Sequence, residues 1–187
     1  MTHADGNMTT YLYYVGSSAD SVDGGTHTRI RLRDDKYPLN VTLNYVSYPK
    51  ENVIKTWTEI SHGEKRPVIM SQYASAMLYF NEPQYWLTEF SGDWAKEAQM
   101  SSQQLQFGKK VIDTKLGSRA AIHAHPFFEV GLNGPVKEHS GEVLMGTLGW
   151  TGNFPITRIG RDSFMWITCV VSIMCLPEYS RSILMCR

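Results

Sequence analysis

Cysteine is absent from the first 168 residues of this chain; Cys169, Cys175 and Cys186 all fall in the last nineteen. No disulfide framework can therefore staple the main body, and the odd count leaves a thiol over if all pairing is internal. No histidine lies in that tail, so the cysteines do not read as a zinc site. Net charge is missing too: lysine plus arginine and aspartate plus glutamate number 18 each. That balance gives no electrostatic footprint for nucleic acid or an anionic membrane. The longest apolar run, Phe164 to Leu176, is interrupted by Thr168 and Ser172 and stops at Pro177. It falls short of the roughly 20 residues that a spanning helix needs. The start, Met1-Thr2-His3-Ala4-Asp5-Gly6-Asn7, has no basic stretch followed by an apolar run, so no signal peptide is read there. The compartment stays open between cytoplasm and periplasm. Helical periodicity is also lacking. Ala95-Lys96-Glu97-Ala98 are helix formers, but apolar positions from Trp94 to Gln106 are too sparse for a stripe, and the segment reads as strand and loop.

What is present is strand pattern. The chain is 42% hydrophobic and 12% aromatic, enough for one domain with a sizeable core, or a domain plus a tail. Residues 9–15 are β-branched and aromatic and read as a strand; Gly16–Gly25 reads as a loop. Thr26 to Arg33 sets Ile30 and Leu32 against Arg29, Arg31 and Arg33, a half-buried strand with a solvated basic face. Leu39, Val41, Leu43 and Tyr45 alternate with Asn40, Thr42 and Asn44, and Val53 to Ile60 alternates again. Ile112 to Leu116, His123 to Val130, Glu142 to Trp150 and Phe154 to Ile159 supply further strands. Short strands spaced about ten residues apart indicate an all-β antiparallel sandwich or barrel.

Three phrases stand out between Phe90 and Phe154. They are Ser91-Gly92-Asp93-Trp94-Ala95-Lys96-Glu97, His123-Ala124-His125-Pro126-Phe127-Phe128 and Gly149-Trp150-Thr151-Gly152-Asn153-Phe154. In this order they resemble the N-terminal β-sandwich domain of the α-galactosidases of glycoside hydrolase family 36. Val53 to Ile60, with the polar turn Ser61 to Val68, is similar to a strand and link of that domain. Gly117 to Phe127 sits where the family has Gly-x-Ser-Ser-His-x-His-Asn-Pro-Phe. Here Ala120 and Ala121 replace the serines, and the asparagine before Pro126 is missing. Gly141-Glu142-Val143 and Gly152-Asn153-Phe154 close a match over roughly residues 30–154.

The resemblance implies an antiparallel β-supersandwich, of the galactose-mutarotase type, packed on a (β/α)8 barrel. Two aspartates of that barrel would carry retaining hydrolysis of terminal α-D-galactosyl residues, and both would lie beyond Arg187. The chain is thus expected to be the non-catalytic N-terminal portion of an α-galactosidase, truncated at its start and inactive alone. It would support the barrel and a homo-oligomer. Its implied partners are α-galactoside oligosaccharides, met by the full enzyme, and the barrel absent from this chain. Two alternatives remain: a stand-alone carbohydrate-binding β-sandwich, and a non-functional truncated remnant.

No residue is assigned a catalytic, metal or cofactor role, and the substrate-binding residues stay unnamed. Asp93, Glu97, Glu129 and Glu142 are the acids nearest the motifs, but nothing in their spacing brings two within the roughly 5–5.5 Å that retaining glycosidases need. His123 and His125 share a face on a strand, a geometry that can hold a metal, with His139, Glu138 or Glu142 as third ligand. Structural hydrogen bonding is the preferred reading. Trp57, Trp86, Trp94 and Trp150 could stack on sugar rings; Trp57 and Trp150 read as core, and Trp94 as the one facing a barrel or a neighbouring subunit. Asn7-Met8-Thr9 and Asn40-Val41-Thr42 match glycosylation acceptors.

The organisation read from these patterns is an incomplete sandwich over 1–159 and a tail over 160–187. The tail holds every cysteine and has no clear alternation. Met165 and Trp166 have single codons, so the frame starting at the third base of the Phe164 codon reads Tyr or His, then Val-Asp. A Val-Asp pair suits the family's next strand, so two readings of the tail stand side by side: a final strand or buried hairpin rich in Val, Ile and Met, or out-of-frame sequence.

Overall fold

The computed structural model describes residues 1–71, 74–119, 122–149, 152–161, 164–170, 173–175 and 182–185. Trp150, Ala120, Ala121 and Cys186 lie outside them. The strands in chain order are β1 (Leu12–Val22), β2 (Gly25–Asp34), β3 (Leu39–Tyr48), β4 (Val53–His62), β5 (Val68–Met70), β6 (Ala74–Phe80), β7 (Tyr85–Asp93) and β8 (Lys96–Gln104). They continue with β9 (Gly108–Thr114), β10 (Ala124–Lys137), β11 (Ser140–Thr147), β12 (Phe154–Arg161), β13 (Phe164–Val170), β14 (Ile173–Cys175) and β15 (Ser182–Met185). The only helical turn among the described residues is a 3-10 turn at Gly117–Arg119. The fold is all-β, and every ladder whose register is described is antiparallel. The chain divides into two units, one of residues 1–75 and 172–187, the other of 76–171.

In the first unit the strands run in the order β1-β2-β3-β4-β15, with β14 and β5 as a separate pair. Alternation explains the central strand. Leu39 and Val41 point to one face and are buried, opposite His62 and Ile60 of β4; each such apolar side chain contributes about 2 kcal/mol when fully buried. Asn44 points to the other face and is the least exposed polar residue there, at 1%. It needs a partner, and the buried His27 of β2 donates from Nε2 to its Oδ1 at 2.9 Å. The arginine row on the same β2 is tied locally: Arg29 pairs with Asp20 and Arg33 with Asp35.

Residues 9–15 and Gly16–Gly25 differ from expectation. The strand starts at Leu12 and runs through Val22, so most of the expected loop is ladder. β1 is an edge strand whose residues are mostly exposed, so serines and Asp20 cost nothing there and the polarity misleads. Gly16 marks a bulge rather than a break: Tyr14 pairs with Leu32 and Gly16 with Arg31, leaving Val15 unpaired. The turn is confined to Asp23 and Gly24, with Gly24 at φ 73°.

The segment before β1 is held by a polar cluster. His3, 3% exposed, stacks on Tyr37 with ring centroids 3.5 Å apart. Its Nδ1 donates to Glu64 Oε1 at 2.7 Å, and Nε2 and Thr10 Oγ1 share a hydrogen bond of 3.0 Å. Burial pushes the Asp34 carboxyl pKa up, but the backbone N–H groups of Tyr11, Tyr37 and Lys36 all donate to it and hold it below the usual aspartate range.

The second unit has two four-stranded sheets, β11-β10-β7-β8 and β6-β13-β12-β9. Leu87 lies opposite Val130 in the first, and Ile112 opposite Ile156 in the second, all buried. β10 extends to Lys137, beyond the expected Val130. Its register against β7 shifts between Ala124 and Phe128, around Pro126. Proline offers no N–H to a ladder; its carbonyl instead accepts from Leu148 N at 2.9 Å. The expected strand-and-loop from Trp94 to Gln106 is a two-residue turn followed by the nine-residue edge strand β8.

Candidate functional site

The β7–β8 hairpin carries the site. Asp93 pairs with Lys96, so Trp94 and Ala95 form the turn. Ala95 has φ 59° and Ala98, two residues into the bulge of β8, has φ 51°. An L-residue with a Cβ pays about 1–2 kcal/mol for each left-handed backbone, so this short hairpin holds strain at two alanines. Asp93 Oδ1 accepts from Trp94 N at 2.8 Å, at the entry to the turn. The Trp94 ring stands out at 90% exposure.

Gly92 explains why the hairpin sits where it does. A Cβ on Gly92 would lie 2.6 Å from the Ile122 carbonyl oxygen, with His125 Nε2 at 3.6 Å. Only glycine admits so close a backbone. Gly92 N donates to the His123 carbonyl at 3.2 Å, and His123 Nδ1 donates back to the Gly92 carbonyl at 3.1 Å. Because a carbonyl can only accept, Nδ1 carries a proton in this arrangement. The Ser-Gly-Asp-Trp and His-Ala-His phrases are thus two halves of one locked corner.

Beside it lies an open cleft of about 670 Å³ lined by Asp93, Trp94, Glu97, Arg119, Ile122, His123 and His125. Carboxylates, a guanidinium, imidazoles and an exposed indole are groups that hydrogen-bond hydroxyls and cover a sugar face. Arg119 and Ile122 were not singled out from sequence; they arrive through the turn at Gly117–Arg119, whose Gly117 N donates to Asn153 Oδ1 at 2.7 Å. The Gly117 and Gly152-Asn153-Phe154 phrases meet in that bond.

The other candidates separate. Glu129, on β10, lies opposite Thr88 and Met145, whereas Glu142, on β11, faces Leu132 three places along, so the two acids point to opposite sides of the sheet. His139 and Glu138 sit exposed between β10 and β11 with 3.9 Å between them. Among the described residues no three histidine, cysteine or acidic side chains are grouped to hold a metal ion. Trp57 is half-buried, with His27 at 5.1 Å, Lys55 Nζ at 5.2 Å and its Nε1 donating to Glu59, so its ring is already engaged. Trp86 lies within β7, its Nε1 buried without a partner among the described residues. Asn7 Nδ2 donates to Tyr37 Oη at 2.8 Å, while Asn40 is exposed on β3.

The family model of the glycosyl hydrolase family 36 N-terminal domain matches residues 1–175. The chain belongs to that family. The family 36 match starts before residue 30 and runs past Phe154 and the compositional boundary at 159, so it is wider than the motifs alone. A curated relative, alpha-galactosidase 2 of Hypocrea jecorina, is 23% identical over 127 residues, 68% of this chain and 17% of that protein. The Lactobacillus brevis α-galactosidase crystal structure aligns with a TM-score of 0.87 at 20% identity, covering 98% of this chain and 27% of that one. A variant of the family 36 α-galactosidase of Geobacillus stearothermophilus, solved with stachyose, aligns at 0.82 and 18% identity, covering 94% and 27%. At these identities the likeness is one of fold. The chain spans less than a third of the length of these family 36 relatives, and they are large proteins of which it matches one domain.

Proposed function

We propose that this chain serves as the supporting N-terminal part of an α-galactosidase, with the chemistry performed by a (β/α)8 barrel that the matched segment does not include. The whole protein would remove terminal α-galactosyl residues from oligosaccharides with retention. This part would pack on the barrel, shape the rim of its pocket and assist oligomer assembly. The observation that carries the reading is Trp94, 90% exposed on a strained hairpin that Gly92 and His123 lock in place. Backbone strain gathers at functional positions, and tryptophan is a residue type enriched at interfaces.

The test has two parts. The isolated chain should neither cleave p-nitrophenyl α-galactoside nor bind raffinose below about 10 mM. Co-expressed with a family 36 barrel it should restore cleavage, and Trp94→Ala should then lower kcat/KM by about tenfold. Turnover by the isolated chain sinks the reading. Millimolar or tighter raffinose binding that Trp94→Ala abolishes would instead favour a carbohydrate-binding module, for which the cleft beside Trp94 is the supporting observation.

A further inference from the structure

We propose that the segment from Thr2 to Tyr11 is a strap clasped to the first unit by carboxylates, which acid opens ahead of the β2-β3-β4 sheet. The segment precedes β1 and is held at both ends. Glu64, just after β4, grips its start: Oε1 accepts from His3 Nδ1 at 2.7 Å and Oε2 from Ala4 N at 2.8 Å. Asp34, the last residue of β2, grips its finish by accepting from Tyr11 N at 2.6 Å. Between them Asp5 accepts from Tyr37 Oη at 2.9 Å, and that oxygen accepts from Asn7 Nδ2. The His3 side chain is fully enclosed and that of Glu64 is 8% exposed, so a lost acceptor there is not replaced by water. Burial of apolar surface adds little to the hold. Met8 and Tyr11 are 74% and 67% exposed. Met1 packs against Val68 and Met70, and Thr2 exchanges two backbone hydrogen bonds with Ile69 of β5. A segment with few buried apolar contacts opens at lower cost than the ladders it lies against. Opening this one uncovers the edge of β5 that β14 does not occupy.

Protonation acts on the clasps directly. A protonated carboxyl turns one acceptor oxygen into a donor, so Glu64 could no longer hold His3 and Ala4 together. His3 faces Glu64 and Tyr37 and its charge also acts on Asp34, while Lys36 stands over the Tyr37 ring and acts on Asp5. Burial raises the Asp34 pKa, but the N–H groups of Tyr11, Tyr37 and Lys36 outweigh it, helped by His3. Asn7 N, then Tyr37 Oη, lower that of Asp5, with Lys36 adding to them. Both aspartates are lower folded than unfolded, so their grip is intact above about pH 4 and is lost as the pH falls further.

Residue-resolved amide exchange of the 187-residue chain, corrected for intrinsic rates and followed from about pH 7 to about pH 3, reads the outcome. Protection at Ala4 and Tyr11 should fall at least about tenfold, while that at Val41 and Asn44 of β3 stays within about twofold. Glu64→Gln keeps one acceptor oxygen; at about pH 7 it should lower Ala4 protection about tenfold and flatten its response to acid. Constant protection of the strap, simultaneous loss in β3, or an unchanged Ala4 response in Glu64→Gln each overturns the proposal. If Glu64→Gln does not fold, the contrast between Ala4 and Val41 in the unsubstituted chain decides: a parallel acid response at the two amides refutes the strap.

Discussion

Two hairpins in this protein share one turn plan and use it differently. Both β1–β2 and β7–β8 turn in two residues with a positive φ on the second, Gly24 at 73° and Ala95 at 59°. In the first, glycine occupies the left-handed position without steric cost, and Asp23 precedes it. In the second, alanine takes that position and tryptophan precedes it, fully in solvent. A turn needs only to reverse the chain; this one also presents a ring, held in place by a corner that tolerates no side chain at Gly92.

The largest test of that contrast is Gly92→Ala. The added methyl meets the Ile122 carbonyl at 2.6 Å, and backbone cannot swing away, so urea unfolding should show a loss of about 3 kcal/mol. A neutral result would mean that the corner is not locked. Next is Asp34→Asn, in the first unit, where three backbone N–H groups converge on the carboxylate. An amide can meet fewer of them, and the expected cost is about 2 kcal/mol. The wild-type Asp34 contribution has a definite sign with pH. Its pKa is lower folded than unfolded, so the contribution is present above about pH 4 and disappears as acid protonates the carboxylate. The Asn variant should show a shallower acid limb. Ala95→Gly should stabilise by about 0.5–1 kcal/mol by relieving left-handed strain; the reciprocal Gly24→Ala should destabilise by a similar amount. If Ala95→Gly destabilises instead, the two turns are not alike. The smallest effect is expected of Trp94→Ala, within about 0.5 kcal/mol in a thermal melt of the chain alone, because the exposed ring contributes little to this fold.

The strands β2, β3 and β4 were legible because apolar and polar residues alternate along them, even though in β3 the buried positions pass from the Leu39 and Val41 face to the Asn44 and Val46 face. β1 was misread because an edge strand places no such demand on its outer positions, and Ser17, Ser18, Asp20 and Ser21 resemble a loop. The corner phrases were legible as motifs, yet their physical reason was not. That Gly92 must pass under Ile122, or that Gly117 needs Asn153, is a contact between segments distant in the chain. Arg119 joined the cleft by the same route. The His3–Glu64 pair spans 61 residues and left no local pattern to read. The boundary at 159 came from composition, and the family match to residue 175 runs across it.

Strand order also sets a timetable. β1 to β4 pair with their neighbours in sequence, so each ladder can zip as soon as its next strand has left the ribosome. β6 has no such neighbour: its partner is β13, residues 164–170, and β5 waits for β14 at 173–175. During synthesis the early meander can stand complete while those strands remain unpaired. Strands β13 and β14 therefore complete ladders begun about 90 residues or more earlier, and a ribosome that stalls before them releases a chain in which β5 and β6 lack their partners.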